Sequence, residues 1–327
     1  MRMKAAVYHR YGGPGDLKIE DAPRPKAGAG KVLVRVHAVS VNMADWIFLT
    51  GKPWPIRLMA GGLLRPGGKI LGSDVAGVIE EVGEGVTRFK PGDEVFGDLA
   101  DCGRGGFAEY VEAPQQTLVQ KPREVSFIEA AAVPMGAIAA LQGLRDHARL
   151  KCGESVLIHG ASGGVGSSAV QIAKDIGAIV TGVSSTRNLE MVHALGAEHV
   201  IDHTSEDFLD SGEKYDVIFG VGGYRSLGDY KQALAEGGRL VLAGGEFRQI
   251  FEIMLFGSWH SRGSRKLLNY VAKTNLKDLE TIREMLAAGR FKPQIEKTYP
   301  LENIVEAMQH FGVEHARSKL VVTIGDG

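Results

Sequence analysis

Residues 159–168 read HGASGGVGSS, directly after the apolar run SVLI and at the start of a stretch, GVGSSAVQIAKDIG, that has helical patterning. A buried strand that passes through a glycine turn into a helix is the setting in which such a motif binds a dinucleotide. As AxGxxG it places Ala161 at the usual first glycine, Gly163 where backbone must approach a pyrophosphate, and Gly166 where helix and strand pack closely. Ser162 and the N–H groups of Gly164 and Val165, at the positive end of the helix dipole, are the candidate phosphate contacts. A Walker loop is excluded because no Lys-Ser or Lys-Thr follows.

Downstream of this turn, strands and helices alternate: AIVTGVS, RNLEMVHALG, HVID, YDVIFGV, SLGDYKQALAEG and RLVLAGG. That order predicts a doubly wound parallel sheet, with ligands at the carboxyl ends of its strands. An acid at the end of the second strand would bind the 2′-hydroxyl of NAD and repel a 2′-phosphate. Here Ser184, Ser185, Thr186 and Arg187 stand there, with no acid before Glu190, so the pattern favours NADPH. Ser184 and Ser185 are also fit to cap the helix that follows. Gly220, Val221 and Gly222 end one later strand and Ala243, Gly244 and Gly245 another, and both turns are candidate cofactor contacts. Asp202 and His203 are candidates for the adenine edge.

The first third has a different grammar. KAAVYH, LKIEDA, KVLVRVHAVSVN, SDVAGVIEEVG, GDEVFG, FAEYVEA and TLVQKP read as short strands punctuated by GGPGD, RPKAGAGK and RFKPGDEV, a β-rich barrel or sandwich. The tail from Leu276 runs helix, strand, helix, strand. The 327 residues suit two domains, and a net charge of −1 gives no electrostatic case for nucleic acid. No apolar run reaches the roughly 20 residues of a membrane span. With no targeting signal at the start, the expected compartment is the cytoplasm. Cys102 and Cys152 are too far apart for a CxxC and predict free thiols.

The segments KAAVYHRYGGPGDLKIED, VLVRVHAVSVNMAD, ILGSDVAGVIEEVGEGVTRFKPGDEVFG, GGFAEYV, AAAVPM, GASGGVG, GGRLVLAGG and SKLVVTI, in this order, resemble the medium-chain dehydrogenase/reductase superfamily. Within it the chain looks like the zinc-free quinone oxidoreductase branch, which is zeta-crystallin-like and includes the reticulon-interacting oxidoreductases. The resemblance implies an α/β fold: a discontinuous GroES-like domain, residues 1–123 and 263–327, that holds substrate, and an inserted Rossmann domain, residues 124–262, that binds NADP. The active site would lie in the cleft between them, and a homodimer would form through the late strands of the Rossmann sheet.

Zinc-dependent relatives usually carry Cys and Asp where this chain has Asn42 and Asp45, a His-Glu pair where it has Ser73 and Asp74, and a further ligand near Met135. Their structural zinc loop has four cysteines, whereas GDLADCGRGGFAEY has Cys102 alone. Without thiolate and imidazole donors, no metal is expected. The resemblance then implies hydride transfer from NADPH to a small apolar quinone or an α,β-unsaturated carbonyl, acceptors that need no Lewis acid. Asn42, facing nicotinamide or substrate carbonyl, and Asp45, organising the pocket, are the catalytic candidates; both are also good capping residues for the helix that follows. Tyr and Arg, common in the branch near the positions of Ile47 and Leu49, are missing, which leaves water as the proton source. Trp46, Trp54 and Met135 are candidates for an apolar acceptor pocket, alongside Phe48 and Met59. Two other readings stay open: a cofactor-binding protein with little turnover, as lens crystallins suggest, and a zinc alcohol dehydrogenase, which the missing ligands oppose.

Overall fold

The computed structural model describes residues 1–59, 61–67, 69–221, 225–243, 265–314 and 316–325, Met59 by its backbone only. In chain order the strands are β1 (Arg2–Tyr8), β2 (Leu17–Pro23), β3 (Lys31–Val41), β4 (Asp74–Val82), β5 (Glu94–Asp98), β6 (Tyr110–Pro114), β7 (Leu118–Gln120), β8 (Ser155–His159), β9 (Ile179–Ser184), β10 (His199–Asp202), β11 (Tyr215–Val221), β12 (Leu234–Ala243), β13 (Lys266–Tyr270), β14 (Ile295–Pro300) and β15 (Lys319–Thr323). The helices that matter below are α1 (Met43–Thr50), α2 (Ile56–Met59), α3 (Phe127–Ala131), α4 (Pro134–Leu141), α5 (Gly164–Ile176), α6 (Leu189–Ala194) and α7 (Leu227–Ala233), with two more at Leu276–Ala287 and Ile304–Gly312. The chain divides into two compact units, residues 1–135 with 274–327, and residues 136–273. The boundary expected at 262/263 lies outside the described residues.

The first unit is the GroES-like domain. Its sheet runs β14-β15-β3-β4-β5-β7, with β6 pairing the first half of β3. β3 is almost wholly buried because both its edges are taken: Lys31–Arg35 pair with β6, Ala38–Val41 pair with β15, and β4 lies along the other side. The tail is therefore a structural part of the first third. Leu320 and Val322 share a core with Val34, Val39, Val75 and Ile79, closed by Ile304 and Met308 from the tail helix. α3 packs on β3 and β4, and the Phe127 ring stacks on His37, which keeps this stretch with the first unit.

Pro134 interrupts the helical patterning of SFIEAAAVPMGAIAAL because it cannot continue the ladder begun in α3. The chain restarts as α4 with Pro at its first position, where a missing N–H costs nothing.

The second unit is the Rossmann domain. Its sheet is ordered β10-β9-β8-β11-β12-β13, parallel throughout, so the order reverses beside β8. The SLGDYKQALAEG helix ends sooner than its pattern suggests: α7 stops at Ala233, and Leu234 already pairs with Tyr215 as the start of β12. β13, in the mixed stretch RKLLNYVAK, is too short to stand out by periodicity and is fixed by pairing with Arg239–Ala243 of β12.

Candidate functional site

In the first unit, β3 ends at Val41 and α1 begins at Met43, leaving Asn42 extended between them. Both were candidates to cap this helix, and Asp45 does it: its Oδ2 accepts from the Asn42 N–H at 2.9 Å, and its Oδ1 accepts from the Gly72 N–H at 2.9 Å. Gly72 has φ +92, and a Cβ there would lie 2.7 Å from the Phe107 nitrogen, so only glycine makes this turn. The Asn42 amide is thus released to face inward. Its Nδ2 donates to Asp74 Oδ2 (3.1 Å) and Ser40 Oγ (3.3 Å), while its Oδ1 accepts from Lys319 Nζ at 2.6 Å. Lys319 Nζ also donates to Asp74 Oδ2 at 3.1 Å. Ser40 Oγ and the Met135 N–H complete the shell of Asp74, whose two oxygens accept four hydrogen bonds. Every side chain of this cluster is buried.

Lys319 was not a candidate from the sequence, where it reads as one base in a strand. Its signal is positional: it opens a strand whose next four residues are apolar or β-branched, and Leu320 falls opposite Val41, which sets Lys319 beside Asn42.

A third buried acid, Asp98, stands directly across from Asp74 in the β4–β5 ladder. Ala100 N–H donates to its Oδ1 at 2.8 Å and the Thr274 hydroxyl to its Oδ2. Burial, and then the Asp74 charge, raise its pKa well above the usual carboxylate range. Burial likewise pushes Asp45 up to about 6, although the Gly72 and Asn42 N–H groups pull the other way. Groups whose pKa is raised by folding take up protons as the chain folds. Their contribution to stability is full below the unfolded carboxylate pKa and is lost as pH rises through the folded value. Asp98→Asn keeps the Ala100 bond and lets Nδ2 donate to the Thr274 oxygen. We therefore expect this variant to be more stable than the parent at about pH 8, by on the order of 1–3 kcal/mol, with the gap closing towards about pH 4. Urea titrations at the two pH values measure it; a gap that is constant with pH would refute the assignment.

The resemblance sets Asn42, Ser73, Asp74 and Met135 against the zinc ligands of metal-dependent relatives. The Lys319 ammonium already sits on both Asn42 Oδ1 and Asp74 Oδ2, and a divalent ion on the same oxygens would meet its repulsion. Ser73 Oγ is buried with no hydrogen-bond partner among the described residues, and a neutral hydroxyl is a poor zinc donor. This donor set does not fit tetrahedral zinc. Among the described residues no group of three His, Cys, Asp or Glu could hold a metal.

In the second unit, β8 passes through a glycine turn directly into α5. Gly160 has φ +83 and lies against the Val221 carbonyl. A Cβ on Gly166 would stand 2.0 Å from the Gly160 carbonyl oxygen, so helix and strand touch through this glycine. Gly163 differs: its φ is −68, open to any residue, and a Cβ would meet only Gly160 oxygen at 3.7 Å. Gly163 has no side chain to cap α5, so the N–H groups of Gly164, Val165 and Gly166 begin the helix with no intrahelical acceptor. His159 at the end of β8 bonds Tyr230 Oη through Nδ1 (2.6 Å), and burial lowers it to about 4, so it is neutral there.

At the end of β9, Ser184 Oγ donates to the Ser185 carbonyl, and Ser185 Oγ accepts from Asn188. Neither serine caps α6. Arg187 is exposed and has no ion-pair partner among the described residues. The sheet adds something the linear reading missed: Asp202 on β10 falls in register with Ser184. The hydroxyl of Thr186, then the hydroxyl and N–H of Thr204, donate to it and hold its pKa down at about 2. His203 next to it is exposed. Gly220 and Val221 end β11, with Val221 opposite Ala243 at the end of β12. Gly222, Gly244 and Gly245 lie outside the described residues, as does the side chain of Met59.

The acceptor-pocket candidates do not gather. Trp46 packs on the first unit's core, where a Cβ on Gly312 would strike its ring at 2.1 Å. Phe48 is buried under the Arg104 guanidinium. Met135 enters the polar cluster through its backbone N–H, and Trp54 is exposed.

Residues 28–123 match the alcohol dehydrogenase GroES-like domain family, and residues 195–322 match a zinc-binding dehydrogenase family. The chain is 32% identical over 332 residues to the chloroplastic quinone-oxidoreductase QR1 of Triphysaria versicolor, covering 98% of each. It is 31% identical over 331 residues to an NADPH-dependent alkenal/one oxidoreductase of Arabidopsis thaliana, covering 98% of this chain and 79% of that one. The structure of the Coxiella burnetii quinone oxidoreductase superposes with a TM-score of 0.88 at 30% identity, over 99% of this chain and 100% of that one. The chain therefore belongs to the medium-chain dehydrogenase/reductase superfamily, in its quinone oxidoreductase branch, and is an oxidoreductase with a nucleotide-binding dehydrogenase domain. No helix among the described residues is long and apolar enough to cross a membrane.

Proposed function

We propose that this enzyme is an NADPH-dependent reductase of quinones and of alkenes conjugated to a carbonyl, and that it works without a metal. The observation that carries the reading is the Lys319 ammonium between Asn42 and Asp74. A cation built into the protein takes the place of the ion that an alcohol-oxidising relative needs to stabilise an alkoxide. Electrophilic acceptors do without that ion. The names of the quinone oxidoreductases and the alkenal/one oxidoreductase above support the same acceptor classes.

Bound NADPH would supply a hydride from C4 of its nicotinamide. The chain's own part is to hold it: the N–H groups of Gly164, Val165 and Gly166, with Ser162, on the pyrophosphate, and Ser184, Ser185 and Arg187 on the 2′-phosphate. Gly220, Val221 and Ala243 end the strands where adenosine and ribose are proposed to lie, with His203 at the adenine edge. In the first unit Asn42 is the proposed polar contact to acceptor, while Asp45, bound to two backbone N–H groups, positions Asn42 and the Gly72 turn. Water is the proposed proton source. β13 ends the sheet order of the described residues, and its edge is where we place a homodimer contact, to be checked by sedimentation.

The reading is tested by following NADPH oxidation with a panel of quinones and enones. A rate no higher than that without enzyme overturns it, and stoichiometric zinc on elemental analysis overturns its metal-free part. Two glycines sharpen the test. Gly163→Ala should leave the urea midpoint within experimental error, since the polypeptide has room for the methyl, yet weaken NADPH at least about tenfold by blocking backbone approach. Gly166→Ala should cost about 1–3 kcal/mol of stability, because its methyl meets a backbone oxygen that cannot move alone.

A further inference from the structure

Among the described residues, large apolar side chains are exposed at Met1, Met43, Val82, Ile179, Val271 and Val313. Between α1 and β4 four more fall close together in sequence: Trp54 is 65% exposed, Leu58 60%, Leu63 50% and Leu64 88%. Trp54 lies just before α2 and Leu58 within it, and Leu63 and Leu64 follow in the next loop. The charge of this segment is one-sided. No acid occurs between Asp45 and Asp74, whereas Lys52, Arg57, Arg65 and Lys69 do, in a chain whose bases and acids nearly balance as a whole.

The base of the segment is fixed to the first unit. Tyr11 Oη donates to the Gly62 carbonyl at 2.6 Å, Arg57 Nε donates to the Gly51 carbonyl at 3.1 Å, and the Arg57 guanidinium stacks on the Tyr11 ring. Gly51, in the left-handed region at φ 60, ends α1 and turns the chain outward. Trp54, Leu58, Leu63 and Leu64 are thus exposed on an anchored segment that also exposes Lys52, Arg65 and Lys69.

We propose that this segment docks the enzyme on an anionic lipid bilayer. An exposed indole and leucines interleaved in sequence with Lys and Arg match the boundary between headgroups and acyl chains, where the ring and aliphatic tips would enter the apolar layer and the cations meet lipid phosphate. The absence of acids fits this partner, because a single carboxylate in the segment would be repelled by the lipid surface. Docking is peripheral and reversible, since neither the apolar area nor the charge approaches that of a spanning helix. An acceptor of the class proposed above would be concentrated in the same phase, but docking needs only this surface and is measured without turnover.

The full chain is sedimented with vesicles of phosphatidylcholine alone and of phosphatidylcholine mixed with phosphatidylglycerol. It should bind the mixed vesicles, bind the neutral ones at least about tenfold more weakly, and be released by high salt. Arg65→Glu/Lys69→Glu should lower binding to the mixed vesicles at least about tenfold, and Leu63→Ser/Leu64→Ser should lower it to the level seen with neutral vesicles. These side chains are exposed, so NADPH binding by the variants should equal that of the parent and report that they are folded. Sedimentation unchanged by mixed vesicles overturns the proposal, as does equal binding of parent and both variants. A self-association of the parent that Leu63→Ser/Leu64→Ser abolishes, without any lipid binding, assigns the patch to a second copy instead.

Discussion

Lys319→Met is expected to lower the unfolding free energy by about 3–5 kcal/mol, the cost of leaving one member of a buried ion pair without its partner. The methionine fills the lysine's volume, so the loss comes from charge. Asp74 would keep Ser40, Asn42 and the Met135 N–H as donors, but its negative charge, directly across the ladder from Asp98, would have no buried cation beside it. Asn42 Oδ1 would lose its 2.6 Å donor as well. Asp74→Asn in the same chain should recover a large part of the loss, because the amide removes the charge and its Nδ2 can donate to Asn42 Oδ1. The measurement is a double-mutant cycle in urea, with a coupling of about 1–3 kcal/mol. Simple additivity of the two single losses would show that Lys319 and Asp74 do not act as a pair, and the metal-free reading would lose its main support.

The turn and the ion-pair cluster differ in how far the sequence reveals them. HGASGGVGSS was legible because every residue that shapes it is local: the apolar strand, the glycines and the helix follow one another, and Gly166 touches Gly160 only six positions away. The β-rich first unit was legible from its alternating strands, and its tail strand from the segment SKLVVTI. Lys319 was not, since it reaches Asn42 only through the return of β15 to β3, a pairing that no local pattern encodes. Asp98 meets Asp74 by the same kind of register across β4 and β5. Asp202 joins Ser184 through the β9–β10 ladder, which a search along the strand for an acid cannot see. The capping choice between Asn42 and Asp45 was also open locally, because both types serve that purpose; burial of the amide beside a cation settles it.

Arg187→Glu is expected to raise the dissociation constant for NADPH about 100-fold or more and that for NADH by less than about threefold. A charge-assisted hydrogen bond from a guanidinium to phosphate contributes about 1.5–3 kcal/mol. Reversing the charge adds repulsion of about 1 kcal/mol at a few ångströms in water. Together these reach about two powers of ten for a ligand that carries the 2′-phosphate and almost none for one that does not. Asp202 makes Arg187 matter more. Thr186 and Thr204 donate three hydrogen bonds to it, and it stays ionised down to about pH 2 and sets a negative charge next to Ser184. In the parent the guanidinium offsets that charge for an incoming dianion. In the variant two carboxylates would face it, and low salt should widen the difference between the cofactors as screening falls. Titration of both nucleotides by tryptophan fluorescence or calorimetry gives the two constants without any acceptor present. Equal weakening of NADPH and NADH would place Arg187 outside the 2′-phosphate site and leave Ser184 and Ser185 as its only proposed contacts.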